Sequence, residues 1–454
     1  MPRAARVLVV GAVQSRAAET AQVLSARGYK AVLSDPEEAI VELLAARRPD
    51  VILFDRRGAR QDSQVSTALN QFAAAVRDTV LWQQLPFLML EEDENAELAN
   101  DALLLIDRLG RNPSDAEIDH RVAALARLST MRSELARRLR TANRIGISAD
   151  VNIAAPGFVE RPHVLVAGVG LGLPKIQSAL GDQATVFGVP TANLALDHLE
   201  NFSVDLVCVD STEDMSKALE TIAVMRRMPR WCALPIVATT DAVTTPETRK
   251  IIHDYGATDT IGLEEDDALS ASRITVLIRE HRYAMAIQQA FRDIGEQLQQ
   301  PETGLAGRDF ALAHLMELIH DCDRHGDGFS AVGVQINTNG PAAGFARAIS
   351  GALTSMVRGE DLAVSLSPDL FMIMLPGTDG PQARIIRDRV SAIVGSTDFG
   401  VDEVGLPRIA PVSYAITSYH AGDTAETFAA RLLQGFAPTE RRSDPTLADE
   451  LVGA

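Results

Sequence analysis

Arg358 and Asp361 stand three residues apart, just ahead of the apolar run 371–375, and the pair has residue types that recognise purines. A guanidinium is a planar fork that hydrogen-bonds O6 and N7 of guanine or stacks on the base face. A carboxylate accepts from the N1 and N2 hydrogens on the opposite edge. At i and i+3 of one helix turn the two groups share a side and can grip one base together. The bare pattern is cheap, since Arg47/Asp50, Arg324/Asp327 and Arg441/Asp444 repeat it. Only its place before a turn and a strand sets Arg358/Asp361 apart. The competing reading is an exposed surface pair worth ~0–1 kcal/mol.

Two further carboxylates, Asp55 and Asp210, close short apolar runs. In open α/β sheets chemistry gathers beyond the carboxyl ends of the strands, which is where both fall. The remaining candidates are weak. His253, His281 and His320 sit in helical patterns where partial burial is the default. Residues 168–172 hold three glycines without the full dinucleotide-loop spacing. No Ser/His/Asp arrangement is readable from chain order.

The elements that must position these groups follow from periodicity. Apolar runs at 6–10, 31–33 and 51–54 alternate with helical patterns at 17–27 and 36–48, which predicts a parallel sheet with helices on both faces. The layout recurs: 163–168 matches the first strand, 205–210 matches 50–55, and 234–239 matches 85–90. Two doubly wound units about 155 residues apart are the economical reading. Val122, Leu125, Leu128, Met131, Leu135 and Leu139 fall on one face of a helix over 117–144. A linker over 146–162 follows, and a second long helix over 271–300 leads to a third domain. The expected boundaries are 1–145, 160–300 and 301–440, with a flexible tail at 441–454.

The chain has 454 residues, enough for three ordinary domains, with 46% hydrophobic and 23% charged residues. Its net charge of −18 argues against nucleic acid or anionic lipid and favours protein partners. Three scattered cysteines, Cys208, Cys232 and Cys322, read as buried apolar residues in a reducing cytoplasm. No apolar run reaches the ~20 residues of a spanning helix, so a cytoplasmic protein without membrane insertion is expected.

The stretch 356–375 resembles the region around the GGDEF motif of diguanylate cyclases, where an Arg-x-x-Asp pair precedes a glycine-rich turn. The two N-terminal units resemble receiver domains of response regulators, in which a strand-end aspartate is phosphorylated on bound Mg²⁺. The implied fold class is α/β: two tandem doubly wound, flavodoxin-like receiver domains followed by a degenerate GGDEF domain of nucleotidyl-cyclase-like α+β type. In the first unit Asp55 is the candidate phosphoacceptor. The usual acidic pair is Gly11-Ala12, the hydroxyl position is Glu91, and the lysine position is Asn112. A structural strand-end carboxylate is therefore the favoured reading of Asp55. The second unit keeps Asp210 and Thr239 but has Gly168-Val169 for the acids, as befits a silent adaptor.

The family joins two GTP molecules on two metal ions held by strand and turn acids. Here Gln335 and Asn337 stand at the strand positions, and the turn reads Ser367-Pro368-Asp369-Leu370-Phe371. Pro368 fixes φ where a flexible backbone must approach phosphates. Asp369, without a partner acid, reads as a solvated turn residue. The guanine loop before residue 342 is short, and the phosphate-lysine position is Pro438. No catalytic residue and no metal are therefore expected. The resemblance implies instead that cyclic di-GMP binds as a regulatory ligand at Arg358 and Asp361, completed by Arg389, with Arg387 and Arg384 as nearby alternatives. Non-catalytic members of the family further imply a receiver-mediated homodimer and a cell-pole adaptor that brings cell-cycle regulators and accessory factors to a protease. The rival readings are a residual diguanylate cyclase and a phosphorylation-driven scaffold indifferent to nucleotide.

Overall fold

The computed structural model describes residues 5–11, 16–35, 44, 48–57, 67, 71, 85–90, 105–109, 113–147, 161–337, 343–400, 408 and 410–436. Glu91, Asn112, Pro438, the expected tail and most of the expected linker lie outside them, as does most of the helical pattern at 36–48.

Among the described residues the first sheet is parallel, built from β1 (Arg6–Val10), β2 (Lys30–Ser34), β3 (Val51–Asp55), β4 (Pro86–Leu90) and β5 (Leu105–Leu109), in the order β2-β1-β3-β4-β5. Helix α1 (Arg16–Ala26) follows β1, and the long helix α2 (Asp115–Arg144) follows β5. Every residue of β3 and β4 is buried, as their unbroken apolar runs require of strands covered on both faces.

The second sheet repeats the design. Its strands are β6 (His163–Ala167), β7 (Thr185–Val189), β8 (Leu206–Asp210), β9 (Ile236–Thr240) and β10 (Asp259–Gly262), ordered β10-β9-β8-β6-β7. Helices α3 (Gly172–Leu180), α4 (Ala192–Asn201), α5 (Met215–Arg227) and α6 (Pro246–Tyr255) connect them, and α7 (Asp267–Leu298) leaves the last strand. Both sheets thus have the flavodoxin-like order 2-1-3-4-5. Polar details repeat as well. The Arg6 amide donates to Asp50 and the His163 amide to Asp205. Arg121 pairs with Asp107 and Arg273 with Asp259, each across the same sequence interval.

The third sheet is antiparallel, with β11 (Phe329–Ile336), β12 (Leu362–Ser367), β13 (Leu370–Pro376) and β14 (Val412–Ser418) ordered β12-β13-β11-β14. Helices α8 (Arg308–His325), α9 (Ala343–Met356), α10 (Gly380–Ser396) and α11 (Ala425–Gln434) accompany it. Phe310, Leu315, Phe329, Met374 and Phe428 fill the core on one side of this sheet; Val332, Ile349, Phe371 and Val390 fill it on the other.

The chain divides into two compact units. Residues 5–129 and 154–286 form one, which holds both parallel sheets. Residues 130–153 and 287–454, with 1–4, form the other, which holds the antiparallel sheet. Helices α2 and α7 each contribute residues to both. Two expectations need correction. Cys232 is exposed, its thiol donating to the Pro229 carbonyl in the turn after α5, and only Cys208 and Cys322 are buried. His320 is exposed on α8.

In the unit of parallel sheets Arg121 is buried between two carboxylates. Its Nε donates to Asp107 on β5, and its Nη2 donates to both oxygens of Glu280 on α7 at 3.0 and 2.9 Å. One guanidinium serves two acids, so a proton is held more tightly than usual. Burial, opposed by Arg121 and reinforced by Asp107, pushes the Glu280 carboxyl up from 4.5 to about 7. A raised folded-state value means the folded chain binds more protons across that window. The stability it contributes is complete below 4.5 and is lost as pH climbs through about 7. Glu280→Gln is therefore expected to flatten the fall in melting temperature of this unit between pH 5.5 and 8. Equal slopes in the variant and the parent would refute the assignment.

Candidate functional site

Helix α9 ends at Met356, so Arg358 and Asp361 do not occupy a helix turn as the i, i+3 spacing predicts. They close a four-residue turn between α9 and β12. The Asp361 amide donates to the Arg358 carbonyl at 3.0 Å, and the Arg358 amide donates back to Asp361 Oδ2 at 3.1 Å. The turn packs against α7, where a Cβ at Gly359 would stand in ordinary contact with the Phe291 ring at 3.4 Å. The consequence for the side chains is unequal. Arg358 is exposed, while Asp361 is buried with its carboxylate turned into its own turn.

Arg389 joins this turn from α10. Its Nη2 donates to the carbonyl of Met356, the last residue of α9, at 2.9 Å. Arg387, by contrast, pairs with its neighbour Asp388 at 2.6 Å, and Arg384 is exposed on the same helix. Arg358, Asp361 and Arg389 are therefore brought together, with two exposed cationic groups beside one surface turn. Such a pair of planar forks suits an anionic ligand carrying purine edges.

The turn between β12 and β13 lies beside the end of β11, because the Ile336 amide donates to the Asp369 carbonyl at 2.8 Å. Gln335 faces Leu370 across the sheet. The Asp369 carboxylate accepts from the Ser367 hydroxyl at 2.6 Å, and Asn337 donates to Ser413 at 3.1 Å. One carboxylate, already engaged, with two neutral amides does not fit a pair of Mg²⁺ ions, which want several anionic oxygens. Among the described residues no group of three or more His, Cys, Asp or Glu could hold a metal ion.

Asp55 sits at the end of β3 with its side chain wholly buried. The Thr20 hydroxyl donates to Oδ2 at 2.7 Å. Arg57, two residues on, folds back through Nε to Oδ1 at 2.9 Å and Nη2 to Oδ2 at 2.8 Å. A cation from the chain itself thus covers both oxygens that a metal and a phosphoryl group would need. Gly11 stands where the acidic pair is expected, and a Cβ there would meet the Asp55 carbonyl at 2.9 Å and Ala17 Cβ at 2.6 Å. Asp210 is engaged too, by Gly172 N at 2.8 Å, Thr212 Oγ1 at 2.7 Å and Thr239 Oγ1 at 3.2 Å. Acetyl phosphate with Mg²⁺ is expected to add no phosphoryl mass to the intact protein; stoichiometric incorporation at Asp55 would contradict this closed geometry. Asp55→Asn is a poor substitute for that test, because it strands the buried Arg57 charge.

Two residues escaped the reading of the sequence. Arg57 was signalled only by its spacing from Asp55. Arg138, whose Nη2 donates to the Asp361 carbonyl at 2.9 Å, lies 223 positions away and carries no local signal.

No protein-family model matches the sequence, and no curated protein matches it. Solved structures similar to parts of the chain are GGDEF domains and a protein described as a response regulator. Diguanylate cyclase SiaD from Pseudomonas aeruginosa, solved with its activator SiaC, shares 22% identity over 34% of this chain and 64% of its own, with a TM-score of 0.29. The GGDEF domain of DgcB from Caulobacter crescentus, solved in complex with c-di-GMP, shares 13% over 30% of this chain and 84% of its own, with a TM-score of 0.28. The response regulator, from Chloroflexus aurantiacus, shares 14% over 26% of this chain and 98% of its own, with a TM-score of 0.24. Among the described residues no helix is long and apolar enough to cross a membrane.

Proposed function

We propose that this protein is a cyclic di-GMP effector, built from two receiver-like domains and a GGDEF-type domain that does not turn over GTP. The observation that carries the reading is the approach of Arg389 to the end of α9, beside the turn that exposes Arg358. Arg358 and Arg389 supply guanidinium groups for guanine edges and phosphates, and Asp361 holds the turn that presents them. The neutral residues Gln335 and Asn337, and the engaged Asp369, support the absence of turnover. In its losses the chain resembles the non-catalytic response regulator PopA. That likeness suggests a homodimer through the receivers and recruitment of cell-cycle regulators and proteolytic adaptors at a cell pole.

Ligand binding can shift recruitment only if the two states of the protein bind the ligand differently. Equilibrium dialysis with labelled cyclic di-GMP tests the reading directly, with saturable binding expected. Incubation with GTP and Mg²⁺ or Mn²⁺, followed by chromatography, is expected to yield no cyclic di-GMP. Clear product formation would replace the effector reading with a cyclase.

A further inference from the structure

The Arg358–Asp361 turn is held from beneath by residues that the ligand itself would never touch. Arg138, on the part of α2 that belongs to the unit of the antiparallel sheet, is buried and donates through Nη2 to the Asp361 carbonyl at 2.9 Å. Its Nε donates to Glu134 Oε1 at 2.9 Å, and its guanidinium lies 4.1 Å from the centroid of Phe291 on α7. Gly359 packs against that same ring and against Gln288, one turn earlier on α7. A single cation therefore joins three things: the backbone of the turn, a carboxylate of α2 and an aromatic ring of α7.

Its anchor is firm. Glu134 is fully buried, also pairs with Arg137, and lies 3.0 Å from His314 Nε2 on α8. Arg137 in turn reaches Asp321 of α8 at 2.9 Å, and Thr141 reaches His314 Nδ1 at 3.1 Å. Burial works against the Glu134 charge, but His314, Arg138 and Arg137 outweigh it and hold the carboxyl well below its usual range. Arg138 thus has a fixed anion on one side and the turn's carbonyl on the other. A planar fork can serve both at once while its face stacks on a ring, which no other side chain does.

We propose that Arg138 is a positioning residue that couples the Arg358–Asp361 turn to helices α2 and α7, so that a guanine dinucleotide held at the turn tightens those helix segments. The coupling rests on the cyclic di-GMP reading; the clamp itself does not. Thermodynamic linkage makes the effect reciprocal: what loosens the helices weakens the ligand, and the ligand firms the helices.

Hydrogen–deuterium exchange on the full chain, with and without cyclic di-GMP, separates the two statements. Without ligand, Arg138→Gln is expected to speed exchange of amides 358–362 by about fivefold or more, since a freed local segment opens more often. Arg138→Lys, which keeps one donor and the charge, should recover part of that protection. With ligand, amides 134–141 should slow in the parent and not in Arg138→Gln, whose affinity falls about tenfold by the same linkage. Phe291→Leu, which leaves every charge in place, is a second variant should Arg138→Gln fold poorly, and it should speed the same amides less.

Unchanged exchange of the turn in both Arg138→Gln and Phe291→Leu overturns the clamp, whatever the ligand does. Ligand protection of 134–141 that persists in Arg138→Gln overturns the coupling. A parent chain that ignores cyclic di-GMP overturns the ligand reading and the coupling together, while a loosened turn in Arg138→Gln would still establish the clamp.

Discussion

Replacing Arg121 with methionine is expected to destabilise the unit of parallel sheets by about 3–5 kcal/mol, the usual cost of stranding buried charge. Methionine fills most of the volume, so the loss is electrostatic rather than a matter of packing. Asp107, buried on β5, and Glu280, largely buried on α7, would face each other without the cation that now bridges them. Part of the penalty can be escaped by protonation, because burial already raises both carboxyls. The defect should therefore be milder at pH 5.5 than at pH 8. Urea unfolding followed on this unit checks it. Arg282 provides the contrast: it also pairs with an aspartate, Asp205, but half of its side chain is exposed. Arg282→Met is expected to cost less than about 1 kcal/mol. Equal midpoints for the two variants would show that the buried pair does not hold the unit together.

Arg358→Ala is expected to weaken cyclic di-GMP binding at least tenfold, in keeping with the ~1–3 kcal/mol that a bidentate guanine contact is worth. The side chain is exposed and the turn is closed by backbone and Asp361, so the fold should be indifferent to the change. Arg358→Lys should recover little, because an ammonium cannot reproduce a planar fork. Arg389→Ala should weaken binding as well, whereas Arg387→Ala should not, its guanidinium being engaged by Asp388. A ranking in which Arg387 mattered more than Arg389 would misplace the second cation.

Much of the fold was legible because its strongest signals are local. The run at 51–54 is β3, with Asp55 as its final residue, and the apolar face read over 117–144 is α2. Helix α7 begins four residues earlier than the pattern at 271 suggested. Asp266 accepts from the Ala268 and Leu269 amides, a capping signal that apolar periodicity ignores. The shape of the candidate turn was misread. Helix α9 ends at Met356, two residues before the motif, and the turn that follows buries Asp361. What no sequence pattern announces is a partner brought in by the tertiary fold. Arg138 meets Asp361 across 223 residues, and the Arg57 side chain folds back onto Asp55. The first contact leaves no trace along the chain, and the second leaves only the short spacing between Asp55 and Arg57.

The most direct measurement is calorimetric titration of cyclic di-GMP into the full-length protein and into Arg358→Ala, side by side. The account predicts saturable binding at micromolar ligand for the parent and an affinity at least about tenfold weaker for the variant. Identical isotherms, or a parent that takes up no ligand in that range, would contradict it.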